Sequence, residues 1–309
     1  MVKTRCPPVN QDFSSLIQQS QFKQGSGNCS ILISLKEMAA VNFILKHWKK
    51  EQTAFLQNLE GLRKQNKAET INLVHDLRVA TKKLRSYLKL LSLLLNKKDY
   101  KASFEKTEQL FSILGKHRDI EMGLEGVASF EKGNKISYAA FSNYLKAVQQ
   151  QESAWVQSAL DDYDEKELPT LTATVEEDLK DKSNDELLKK LKGIVEKELN
   201  KARRLSAHLD QQPHLIRKLF KDIFYWASLL PNEILVPGQL KSIKKSLEYL
   251  GNWQDLEMLQ RKIKHFRKDF VPDTKEENRE LKELKKTIIA KKQKILDRAT
   301  ENIRVALAH

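Results

Sequence analysis

Cysteine is nearly missing from this sequence: Cys6 and Cys29 are the only two in 309 residues. Both lie in a poorly patterned N-terminal stretch and have no CxxC spacing. Neither a disulfide framework nor a cysteine zinc site is therefore expected, and a reducing, cytoplasmic setting fits. Glycine and proline are also scarce, at 10 and 7, too few for the turns of an all-β fold. No apolar run reaches the roughly 18 residues that a membrane helix takes, so no span is expected. The opening "MVKTRCPPVNQDFSSLIQQSQFKQ" lacks the apolar core of a signal peptide.

Catalytic signatures are missing as well. The sequence has no GxxxxGK[ST] loop, no GxSxG elbow, no HExxH and no alternating E-x-E-x-K pattern. Helices rich in cations without clustered carboxylates are poorly suited to holding the Mg²⁺ of phosphoryl transfer. An enzyme is not expected, nor is a cofactor.

Charge is abundant and lopsided. Charged residues make up 31% of the chain, with a formal net charge of +14 and a pI near 9.5. Such a balance favours a polyanionic partner: nucleic acid, polyphosphate or an anionic surface. Residues 1–33, with Pro7, Pro8 and "GSGN", read as a flexible tail. From residue 34 onward apolar residues recur at helical spacing, so an all-α fold is expected over 34–309. The acidic stretch 161–185 reads as a linker between a first half, 34–165, and a second, 185–307, each of about five helices.

Within the first half, "VHDLRVATKKLRSYLKLL" places His75, Arg78, Lys82, Arg85 and Lys89 on one helical face. Leu73, Leu77, Leu84, Leu88, Leu91 and Leu95 form a stripe roughly opposite. No carboxylate falls between Asp76 and Asp99. Like charges at i,i+4 cost roughly 0.2–0.5 kcal/mol per pair, a strain that an ordinary solvated face avoids by alternating signs. Arginine forks and lysine ammonium groups in such a row suit phosphate oxygens, and a histidine adds a donor when protonated.

The row has a second copy. "PHLIRKLFKDIF" pairs His214, Arg217 and Lys221 with His75, Arg78 and Lys82, and Pro213 suits a helix start. Downstream, "LGKHRDIEM" at 114–122 matches "LGNWQDLEM" at 250–258. A match at both ends, in the same order, points to an internal duplication with two basic stripes facing each other. Gly115 and Gly251 read as helix ends, with Asp119 and Asp255 opening the next helices as caps or as holders of a basic side chain. Asp222 and Phe224 stand where the first copy has Lys83 and Arg85, so the second stripe is weaker.

A zinc site at the paired histidines is not expected, because the residues at i+3 and i+4 are Arg78 and Val79, and Arg217 and Lys218. Lys83, Lys89 and Lys218 are candidate neighbours of the basic rows. Lys46 and Lys50 on the first helix, with Lys197 and Lys201 on its counterpart, could complete a basic groove.

The first motif, H-x-L-R-V-A-T-K-K-L-R, resembles the signature of the CHAD family, the conserved-histidine α-helical domain. The second copy and the L-G-x-x-x-D elements extend the likeness over roughly 34–307. The resemblance implies a compact bundle of two pseudo-symmetric halves that binds inorganic polyphosphate through a basic surface or central cavity. It also implies location at polyphosphate granules and partnership with polyphosphate-metabolising enzymes, with His75, Arg78, Lys82, Arg85, His214, Arg217 and Lys221 as anion ligands. The alternative is a protein that binds an RNA or DNA backbone. Phe220, Phe224, Tyr225 and Trp226 cluster as a core does, rather than interleaving with cations as base-stacking platforms do.

Overall fold

The computed structural model describes residues 39–64, 70–96, 100–134, 136–230, 233–269 and 275–308. The expected tail at 1–33, with both cysteines, lies outside them. Among the described residues there are nine α-helices and no strand: α1 Ala39–Lys64, α2 Thr70–Leu95, α3 Glu105–Asn134, α4 Ala139–Asp161, α5 Glu167–Leu179, α6 Asn184–Ser206, α7 Pro213–Leu229, α8 Pro237–Asp269 and α9 Lys275–Leu307. None is long and apolar enough to cross a membrane.

Two separate hydrophobic cores organise these helices. The larger takes Trp48, Phe55 and Leu59 of α1, most of α2, the buried faces of α5 to α7, and one end each of α3, α4, α8 and α9. The smaller joins the other ends of those four long helices, through Val127, Phe141, Ile263 and Ile288 among others. The polar elements Gly115 to Asp119 and Gly251 to Asp255 fall where α3 and α8 pass from one core towards the other. Trp48 Nε1 donates to Thr172 Oγ1 at 2.7 Å, fastening α1 to α5. The acidic stretch thus carries a helix whose Leu168, Leu171, Val175 and Leu179 are buried.

The leucine stripe of α2 is packed as its spacing predicts, with Leu77, Leu84, Leu88 and Leu91 buried. Val74, Tyr87, Leu90 and Leu94 are buried too, so this helix is enclosed on several sides. It ends at Asn96, whose φ of 49° is the left-handed conformation of a helix cap. Pro213 opens α7, as expected.

Gly115 and Gly251 end no helix. Both sit inside continuous helices, α3 and α8, and among the described residues no glycine has a positive φ. Asp119 and Asp255 are therefore mid-helix residues rather than caps. At position 115 a side chain would displace a neighbour: an added Cβ would stand 2.6 Å from Arg78 Nη1.

Candidate anion-binding site

The helices carrying the two motif copies, α2 and α7, are joined by a buried polar strut. Asp222 accepts from Ser86 Oγ at 2.9 Å and from Lys89 Nζ at 2.6 Å, and Trp226 Nε1 donates to the Ser86 carbonyl at 2.9 Å. The residue read as a lost cation is thus a carboxylate that pins the helices together and takes up the charge of Lys89.

On the N-terminal side of this strut along each helix, the basic rows converge. Burial lowers the Lys82 pKa to about 7, reinforced by Arg78, Lys221, Arg217 and Arg85 in that order. Burial likewise lowers Lys221 to about 8, with Arg217, Arg85 and Arg78 pushing the same way and Asp222 opposing. Arg78, Lys82 and Arg85 of α2 and Arg217 and Lys221 of α7 are thus near enough to feel one another's charge and make up one cation cluster. Among the described residues neither Lys82, Arg217 nor Lys221 forms an ion pair, and Arg217 Nε is buried without a hydrogen-bond partner. Amines crowded in a partly dehydrated space give up protons unless a negative charge joins them.

Helix α3 supplies a third wall. Arg78 Nη1 donates to the Phe111 carbonyl at 2.8 Å, and the guanidinium groups of Arg78 and Arg85 each lie 4.3 Å from the Phe111 ring centroid. Arg85 is also forked onto the Glu108 carboxylate through Nε and Nη2. Such stacking and pairing fixes both guanidinium planes. Deeper along α3, burial raises the Asp119 pKa, opposed by Arg78, Lys262 and Lys82. Burial raises Asp255 on α8 as well, with Asp119 reinforcing and Arg217, Arg118 and Lys82 opposing. The reading of Asp119 as a partner for a basic side chain agrees with this placement.

The other sequence-derived candidates divide. His75 is on the exposed side of α2; its pKa is lowered mainly by partial burial, with Asp76 opposing and Lys82, Arg118 and Arg78 reinforcing. His214 is exposed, with Nδ1 3.1 Å from Gln254 Oε1. Lys83 turns to α1 and pairs with buried Glu51 at 2.7 Å. Lys218 is exposed on α7. Lys46 and Lys50 are exposed on α1, and their charges act, with Lys83, on His47 rather than on Lys82. Lys197 and Lys201 line an open depression on α6 together with Glu196 and Glu198. The expected groove from α1 and α6 is therefore not built around the cluster: those lysines occupy outward-facing turns.

Glu108, Phe111 and Lys262 were not legible as site residues. Glu108, Phe111, Gly115 and Asp119 do follow one another at helical spacing of three and four. Reading Gly115 as a helix end hides that signal.

The CHAD domain family model matches residues 47–264 of the chain. The fold is similar to the crystal structure of the CHAD domain from the plant Ricinus communis, with a TM-score of 0.66 and 18% identity. That likeness covers 87% of this chain and 92% of the plant one. Among curated proteins no match is found.

Proposed function

The chain belongs to the CHAD domain family, and on that premise we propose that Arg78, Lys82, Arg85, Arg217 and Lys221 bind inorganic polyphosphate. What supports this reading is that Lys82 and Lys221 are within electrostatic reach of each other and of three arginines. Neither ammonium has a direct ion-pair partner among the described residues, the carboxylates of Asp119, Asp222 and Asp255 acting on them only through space. A phosphate chain supplies one negative charge per unit at a spacing a flexible polymer can adjust. It would re-protonate both amines and offer oxygens to the fixed guanidinium forks.

The proposed role is to hold the polymer, without a catalytic step, at cytoplasmic polyphosphate granules or beside polyphosphate-metabolising enzymes. The two motif helices are read as descendants of one duplicated unit whose copies have diverged: α7 has traded a cation for the Asp222 strut. His75, within electrostatic reach of Lys82 and Arg78, and the exposed His214 are read as adding contacts rather than the main charge.

Fluorescence anisotropy with end-labelled long-chain polyphosphate tests the assignment. The double variant Lys82→Ala, Lys221→Ala is expected to lose at least about tenfold in affinity while keeping its helical circular dichroism. Unchanged affinity in a folded variant rules the cluster out.

A further inference from the structure

Along α3, Gly115, Asp119 and Gly123 stand at steps of four, one above another on a single helix face. Each glycine is met by a cation from a different helix. Arg78 of α2 reaches Gly115, with Nη1 2.6 Å from where a Cβ would stand, and Lys262 of α8 lies against Gly123, with Cδ at 3.1 Å and Cε at 3.5 Å from the corresponding point. Four residues of helix rise about 6 Å, so Asp119 is one turn from both. Charge effects agree: Arg78, Lys262 and Lys82 act on its carboxyl in that order. Burial lowers the Lys262 pKa, with Asp119 and Glu152 of α4 opposing. Yet among the described residues no ion pair or hydrogen bond reaches either Asp119 or Lys262.

This cradle is not repeated around Asp255. Matching 114–122 with 250–258 aligns Gly115 with Gly251, Gly123 with Leu259, and Gly126 with Lys262. A Cβ on Gly251 would meet nothing within 4 Å, and a leucine already fills the place of Gly123. Lys262 stands where α3 has a glycine, so it belongs to neither basic row. A carboxylate set between two cations that it does not touch tempers both and fully engages neither. Polyphosphate carries a charge on every unit, so its oxygens can approach Arg78 and Lys262 together.

We propose that Asp119 is a built-in counter-ion against which polyphosphate competes, and that Lys262, restrained by this carboxylate, is a further anion ligand on the α8 side of the cluster. The inference rests on the polyphosphate reading and adds to it one residue that limits affinity and one that extends the contact.

Fluorescence anisotropy with end-labelled long-chain polyphosphate tests it on Asp119→Asn, Lys262→Met and the double variant. Glu196→Gln, on the outward face of α6, controls for the loss of one negative charge. Asparagine keeps the shape of the aspartate and methionine keeps an unbranched side chain against Gly123, so both variants are expected to fold, which circular dichroism checks. Asp119→Ser, a smaller neutral replacement, is expected to act as Asp119→Asn does. Asp119→Asn is expected to bind about three- to fivefold more tightly than wild type, the scale of one partly screened charge pair, and Lys262→Met to bind more weakly by a similar factor. Glu196→Gln should stay near wild type. In the double variant the gain from Asp119→Asn should shrink, because one of the cations it releases is gone. Unchanged or weaker binding by Asp119→Asn overturns the inference, since a carboxylate that only positions Arg78 loses affinity when neutralised. So does an equal gain in Glu196→Gln, wild-type affinity in Lys262→Met, or full additivity in the double variant, each of which leaves polyphosphate binding standing. Absence of binding by the wild-type protein overturns the reading beneath it.

Discussion

Gly115 and Arg78 are in close contact: a β-carbon at 115 would lie 2.6 Å from Nη1, so the guanidinium would have to shift to admit it. The glycine of one motif is therefore the seat of the arginine of the other. Gly115→Ala should push the guanidinium off the Phe111 carbonyl and lower polyphosphate affinity several-fold. In a helix interior the same change alone favours folding by roughly 0.5–1 kcal/mol, which offsets only part of a charged hydrogen bond worth roughly 1.5–3 kcal/mol, so thermal stability should fall slightly. Unchanged affinity would mean the glycine serves packing alone.

Proton linkage gives a second prediction. A lysine with a folded pKa of about 7, against an ordinary value of 10.5, releases its proton on folding between those limits. Unfolded chains then bind more protons, so the stability of the ligand-free protein should rise with pH from about 7 upward. Lys82→Met should raise the melting temperature near pH 6 to 7 and flatten that rise. Polyphosphate has the opposite linkage, since it favours the charged amines. Affinity should be highest below pH 7 and fall through pH 7 to 8, with proton uptake measurable by calorimetry in buffers of different ionisation enthalpy. A His75→Gln variant should retain this profile, because burial already keeps that imidazole's pKa below its usual value.

Asp222 neutralises Lys89 inside the joint between α2 and α7. Asp222→Asn preserves an acceptor for Ser86 but frees the ammonium. Polyphosphate should bind more tightly, and stability should drop by about 1–3 kcal/mol, as for loss of a charged partner in a buried hydrogen bond. Denaturant titration and anisotropy on the same sample separate the two effects.

How far these assignments could be read from the sequence depended on periodicity. The row from His75 to Lys89 and the buried leucines Leu77, Leu84 and Leu91 came from one helical period, and α2 obeys it. The convergence of Lys82 with Lys221 needed the packing of α2 on α7, which pairing the two motifs suggested but could not orient. Gly115 is ambiguous in the sequence, because a helical glycine looks the same whether it ends a helix or makes room for Arg78. Lys83 and Lys89 belong to the same run of charge as Lys82, yet each has a carboxylate partner on another helix, Glu51 or Asp222. No local pattern reveals such partners.

The same contrast supplies a control. Lys83→Ala leaves the buried Glu51 without its partner and should cost about 1–3 kcal/mol of stability, with little change in polyphosphate affinity. The exposed pair Lys197→Ala, Lys201→Ala should alter neither by much. An affinity loss there equal to that of the Lys82 and Lys221 change would replace a localised site with a diffuse basic surface.

The most direct measurement is competition for the cluster. Labelled long-chain polyphosphate bound to the wild-type protein is titrated with unlabelled polyphosphate and with tRNA at matched phosphate concentration and ionic strength. The account predicts displacement by polyphosphate at a concentration at least about tenfold lower, with that preference lost in the Lys82→Ala, Lys221→Ala variant. Equal displacement by tRNA would contradict it and make the cluster a general seat for nucleic-acid backbones.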